Sequence, residues 1–134
     1  MIVFISLLTL LNLHSPKINI ENAWVRPAAK GMNSALYFDL KNTTGKPATL
    51  YKVSSSAAEL VQIHETINKN GAMSMKEIKT LAVPANKTVQ FAPGGYHVML
   101  INLKKDLKAG SKVEFTFYIK KLGEVKVLAL VKKG

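Results

Sequence analysis

A chain of 134 residues, 48% hydrophobic and free of cysteine, carries enough apolar material for one packed core. The absence of cysteine excludes disulfides, thiolate metal sites, iron–sulfur clusters and thiol nucleophiles together. The net charge is +11, but Arg26 is the only arginine, and Asp106, Glu114 and Glu124 interrupt the densest run of lysines. Base-reading proteins rely on arginine forks, and neither an aromatic RNA-binding motif nor a glycine-rich phosphate loop occurs. A nucleic-acid partner is therefore not expected, whereas weak attraction to an acidic partner or an anionic membrane surface fits the scattered lysines.

In chain order, Ile2 to Leu13 is an apolar run broken only by Ser6, Thr9 and Asn12. It is short for a bilayer span and suits the apolar stretch of a signal peptide, although no Lys or Arg precedes it and no Ala-x-Ala site follows. Residues 1–16 are accordingly expected to be a signal or membrane-targeting segment, which implies a periplasmic or otherwise extracytoplasmic location. Residues 17–134 are expected to form a single domain.

The remainder reads as strands. Ile18, Ile20 and Trp24 open the first, and Leu36, Phe38 and Leu40 alternate through the second. Asn42 to Pro47 has the composition of a turn, followed by a strand over Thr49 to Val53 and another over Leu60 to Glu65. Asn68-Lys69-Asn70-Gly71 signals a hairpin whose return arm runs from Met73 to Ile78. Thr88 to Phe91 lies between Pro84 and Pro93-Gly94-Gly95, and Tyr96 to Asn102 is strongly apolar. Val113, Phe115, Phe117 and Ile119 alternate, and Lys121 to Glu124 turns the chain into Val125 to Val131. Turn signals at short intervals, without a long helical period, predict an all-β sandwich or barrel.

Outside residues 1–16, His64 and His97 are the only histidines, and the methionines are Met32, Met73, Met75 and Met99. His97 and Met99 stand two apart in a strand and so share a face. With residues 68–71 as a four-residue loop, His64 falls directly opposite Met75 across the hairpin. Two imidazoles and two thioethers form an uncharged, soft donor set suited to Cu(I), whereas zinc prefers cysteine, histidine or carboxylate, and a blue-copper site needs cysteine. Taken singly, each methionine is more often a core filler and each strand histidine an ordinary polar residue. Glu65 adjoins His64 but points to the other strand face. Two histidines without a paired carboxylate or nucleophile nearby in sequence give no obvious catalytic arrangement, so an enzyme is the least favoured class.

The spacing carries a resemblance. Ten residues separate His64 from Met75, twenty-one separate Met75 from His97, and Val98 alone separates His97 from Met99. This pattern, with Ala23-Trp24-Val25-Arg26, Ala35-Leu36-Tyr37-Phe38, the approach to His64 and the segment Pro93 to Leu100, resembles the PCu(A)C-type periplasmic copper chaperones over residues 18–131. The resemblance implies a cupredoxin-like (Greek-key) β-sandwich holding one Cu(I) per chain through His64, Met75, His97 and Met99. It further implies delivery of copper to an accepting protein, toward the binuclear centre of cytochrome c oxidase or a Sco-type thiol protein. Two weak thioether donors leave an edge open for an incoming ligand, so transfer by ligand exchange is expected, from a chain expected to be a monomer. Some members carry a His- and Met-rich tail; here Leu130-Val131-Lys132-Lys133-Gly134 stands in its place, and no second copper site is expected. The competing reading is a metal-free extracytoplasmic β-sandwich that serves as a binding module.

Overall fold

A computed structural model describes residues 17–134; the targeting segment expected over residues 1–16 lies outside the described residues. Ten strands follow one another without an intervening helix: β1 (Ile18–Val25), β2 (Ser34–Asn42), β3 (Ala48–Ser54), β4 (Ala58–Lys69), β5 (Ala72–Glu77), β6 (Leu81–Val83), β7 (Thr88–Phe91), β8 (Tyr96–Leu103), β9 (Lys112–Ile119) and β10 (Gly123–Val131). They form one continuous hydrogen-bonded sheet in the order β5-β4-β8-β7-β2-β1-β10-β9-β3-β6, with β8 also pairing directly with β2. The sheet folds over on itself, so that Phe38 of β2 meets Phe117 of β9 edge-on at 4.9 Å between ring centroids. The all-β sandwich expected from the alternation is the observed architecture.

The core follows from the period-2 pattern. Leu36, Phe38 and Leu40 of β2, Val98 and Leu100 of β8 and Phe115 and Phe117 of β9 are buried between the layers. Phe38 stacks on Phe91 with centroids 4.2 Å apart. Because strand side chains alternate, burying Val98 and Leu100 places His97 and Met99 on the opposite, outer face of the same sheet.

Two elements differ from the sequence reading. The short strand β6, flanked by Pro84 and only three residues long, carries too little alternation to be read; it is recognised by its pairing with β3, Ala48 opposite Val83. The β4–β5 loop is also tighter than expected: Lys69 pairs with Ala72, leaving Asn70 and Gly71 as a two-residue turn with φ of 54° and 85°. Asparagine and glycine tolerate that left-handed pair, whose twist matches the flanking strands. Asn68 and Lys69 therefore remain in the strand.

Asn42, read as part of a turn, ends β2 and is fully buried. Its side-chain amide donates to the carbonyls of Lys46 at 2.8 Å and Val83 at 3.0 Å, and its Oδ1 accepts from the Thr44 amide at 2.9 Å and hydroxyl at 2.7 Å. One side chain thus ties the 42–47 turn to β6. Asn42→Ala leaves those groups without partners, and the expected loss is about 2–3 kcal/mol of unfolding free energy. Urea denaturation measures it; a loss below about 0.5 kcal/mol contradicts the role assigned to this network.

Candidate metal centre

The register of β4 against β8 decides which side chains meet. Gln62 stands opposite Met99, Ile63 opposite Val98 and His64 opposite His97. Ile63 and Val98 point into the core, so Gln62, His64, His97 and Met99 share the outer face. The two imidazoles lie edge to face with centroids 5.5 Å apart. A ring nitrogen holding a metal at about 2 Å puts the ion about 3 Å from the ring centroid, so one ion can bridge this pair.

The hairpin supplies Met75 by a route other than the expected one. His64 faces Glu77, and Met75 faces Thr66. The tight turn moves the register by two residues relative to a four-residue loop. An even shift leaves every side chain on its original face. Met75 therefore stays on the His64 face as a diagonal rather than direct neighbour, within reach of a long side chain. Met75, His97 and Met99 line one open groove of about 410 Å³, with Met73, Tyr37 and Arg26 also on its wall. Met75 is 57% exposed while His97 is only 4% exposed, so the groove has a closed floor and an accessible thioether rim.

Local structure sets each ring. Ala92-Pro93-Gly94-Gly95 closes a turn through the Gly95 amide to the Ala92 carbonyl at 2.9 Å, with Gly94 at φ 90°, the combination of a type II turn. That turn presents the Gly95 carbonyl to the Thr66 amide at 3.1 Å and to His97 Nδ1 at 3.4 Å. A carbonyl only accepts, so Nδ1 of His97 carries the proton. Gln62 Oε1 lies 2.8 Å from His64 Nε2 and likewise only accepts, so Nε2 of His64 is protonated. The opposite nitrogens, His64 Nδ1 and His97 Nε2, are left with lone pairs. They are also the buried side-chain polar atoms that have no hydrogen-bond partner among the described residues. Such orphaned atoms call for an explanation, and two lone pairs on rings 5.5 Å apart are available as metal donors.

Burial lowers the pKa of both histidines below the ordinary 6.5. For His64, Glu77 opposes the shift; for His97, the Gly95 hydrogen bond opposes it and His64 adds to it. Both imidazoles are neutral near pH 7 and need lose no proton to bind a metal. No cluster of three or more histidine, cysteine, aspartate or glutamate side chains occurs among the described residues, so the donor chemistry here is imidazole and thioether.

Sequence reasoning missed Gln62, Tyr37 and Glu77. Gln62 was open to discovery as the residue two before His64 in the same strand. Tyr37, whose ring centroid lies 6.4 Å from that of His97, and Glu77 become neighbours only through strand pairing.

A folded β-sandwich thus carries two opposed histidines and two thioethers on one outer face, a soft and uncharged set of donor groups. Solved proteins share this architecture. The copper-bound PCuAC domain from PmoF2 superposes with a TM-score of 0.74 at 28% identity, covering 93% of this chain and all of that one. The solution structure of CuI-DR1885 from Deinococcus radiodurans gives a TM-score of 0.67 at 29% identity, over 86% of this chain and 79% of that one. The chain belongs to the family described as "Putative lipoprotein LpqE-like", which matches residues 18–131. A relative from Leifsonia xyli subsp. xyli, "Putative lipoprotein Lxx21020", is 44% identical over 100 residues, 74% of this chain. The chain spans 60% of that relative's length.

Two outcomes follow for the metal-free protein. A base whose folded pKa is depressed binds fewer protons folded than unfolded, so its stabilising contribution is full above 6.5 and falls as the pH drops toward the lower folded value. Denaturation midpoints between pH 7 and pH 5 should fall accordingly, and the fall should shrink in His97→Gln; an equal slope in that variant contradicts the assignment. Gln62→Leu should release the His64 ring from its Nε2–H form, seen as a change in its ring ¹⁵N shifts with unchanged His97 signals. A His64 tautomer unaltered by the substitution contradicts the role of Gln62.

Proposed function

We propose that this chain is an extracytoplasmic Cu(I)-binding metallochaperone that takes one ion through His64, Met75, His97 and Met99 and passes it on by ligand exchange. The single observation that carries this reading is the pair of buried, unpartnered nitrogens, His64 Nδ1 and His97 Nε2, on rings 5.5 Å apart on paired strands, with Met75 and Met99 in the groove that His97 lines. Neutral imidazoles and thioethers add no negative charge, which favours a soft monovalent ion over hard divalent ones. The copper-bound PmoF2 domain and CuI-DR1885 support the choice of metal. The lipoprotein descriptions of the family and of the Leifsonia relative support a membrane-anchored location outside the cytoplasm.

The mechanism follows from the unequal exposure of the donors. His97 is sunk in the groove floor and anchors the ion, while Met75 stands at the rim. Thioether bonds are the weaker ones and the more accessible, so an incoming ligand displaces Met75 first and shares the ion with the histidines before removing it. Having no cysteine, the chain keeps its donors intact in an oxidising compartment, although methionine oxidation to sulfoxide would weaken them. The recipient we propose is the binuclear copper centre of cytochrome c oxidase, directly or through a Sco-type thiol protein.

Single alanine substitutions of His64, Met75, His97 and Met99 are each expected to lower Cu(I) affinity by about tenfold or more, equivalent to at least ~1.4 kcal/mol, with the circular dichroism unchanged. Competition against a Cu(I)-selective chelator measures this. Unchanged competition in both Met75→Ala and Met99→Ala removes the thioethers from the site.

A further inference from the structure

The groove that holds Met75, His97 and Met99 is lined by one formal charge, and it is positive; Glu77, opposite His64, lies outside that lining. Arg26 is the only charged side chain lining the groove. It follows β1 and is itself exposed. Its guanidinium carbon lies 5.8 Å from the Trp24 ring centroid and 5.4 Å from that of Tyr37, and its Nε donates to the Tyr37 hydroxyl at 3.4 Å. Trp24 and Tyr37 themselves lie in contact, tilted by 38° with centroids 4.8 Å apart, so the guanidinium rests against a preformed aromatic pair. Tyr37 in turn abuts His97. No carboxylate pairs with Arg26 among the described residues, where the one ion pair joins Lys79 to Glu77. Among the described residues the terminal guanidinium nitrogens have no hydrogen-bond partner, so their N–H groups remain for another molecule.

A fixed, unneutralised cation beside an uncharged donor set has a physical cost, because it repels the bound ion. Its use lies in what it attracts. Resting on the copper-chaperone reading, we propose that Arg26 is a docking cation for the incoming ligand, and that this ligand is a thiolate of the copper-accepting protein. A carboxylate would meet the same charge but is a poor donor to a soft ion. In the exchange step, the thiolate sulfur forms a bond to Cu(I) as the bond to the Met75 thioether breaks. Copper stays Cu(I), no electron is transferred, and the thiol proton has already left to solvent. Arg26 touches neither thioether bond. It raises the local concentration of the anion at the rim and stabilises the shared intermediate, in which a negative ligand has replaced a neutral one.

The test compares two ways of removing copper from the loaded full chain: dithiothreitol, which attacks as a thiolate, and neocuproine, an uncharged nitrogen chelator. The readout is the ratio of the two removal rates in wild type, Arg26→Gln and Arg26→Lys. Arg26→Gln should lower the thiolate-to-neutral ratio about threefold at low salt, the size expected for unit charges about 6 Å apart in water, and Arg26→Lys should restore it. Raising the ionic strength with sodium sulfate should lower the ratio more steeply in wild type than in Arg26→Gln, because the lysines and the bound ion contribute equally to both and only the Arg26 share is removed. An unchanged ratio in Arg26→Gln, or equal salt dependence in the two proteins, overturns the role of Arg26 while leaving copper binding intact. A wild-type chain that takes up no Cu(I) overturns the functional reading and this inference with it. If Arg26→Gln fails to fold, the wild-type salt dependence decides alone, and a ratio insensitive to salt overturns the proposal.

Discussion

The antiparallel pairing of β4 with β8 is the constraint on which the site depends. It sets His64 against His97 and Gln62 against Met99, while Ile63 and Val98 between them are locked into the core. A slip of β4 by one residue against β8 would turn His64 toward the core and Ile63 outward, and would part His64 from His97. The hydrophobic pattern that makes the sandwich therefore also aims the polar donors. Folding energy and site geometry have one source, and the site needs no separate scaffold.

Around that pair, weak and local interactions finish the work. The Gly95 carbonyl and the Gln62 amide each fix one ring nitrogen as a donor and so release the other as a lone pair. Burial keeps both rings neutral. The floor of the groove is rigid because β8 is held on both sides, by β4 and by β2. Its rim is carried by β5, an edge strand whose residues are all exposed. The imidazoles and Met99 thus sit on interior strands, while Met75 alone of the four stands exposed on the edge.

Much of this was legible in the chain. The alternation in β2, β8 and β9, the Asn-Gly turn and the His-x-Met pair are local signals, each decided within a few residues. The hairpin register was wrong by two positions because composition marks a turn without setting its length, and it left the donor face intact because the error was even. The facing of His64 and His97 was not legible, since it depends on pairing between strands separated by the whole β5–β7 segment. The same holds for Tyr37 and Arg26 in the groove wall, and for the buried amide of Asn42, which reads as an ordinary turn residue until β6 is seen beside it. Residues that surround the donors, such as Tyr37 beside His97, are brought there by tertiary contacts and leave only faint traces in local pattern.

The proposed coordination sphere unites both strand histidines and both thioethers. X-ray absorption of the Cu(I)-loaded full chain tests it most directly, because nitrogen and sulfur shells differ in distance and scattering. The predicted spectrum is that of Cu(I) with two nitrogen neighbours at about 2.0 Å and two sulfur neighbours at about 2.3 Å, with lower sulfur content in Met75→Ala and Met99→Ala. A first shell of nitrogen and oxygen alone, or a spectrum unaltered by either methionine substitution, would contradict it.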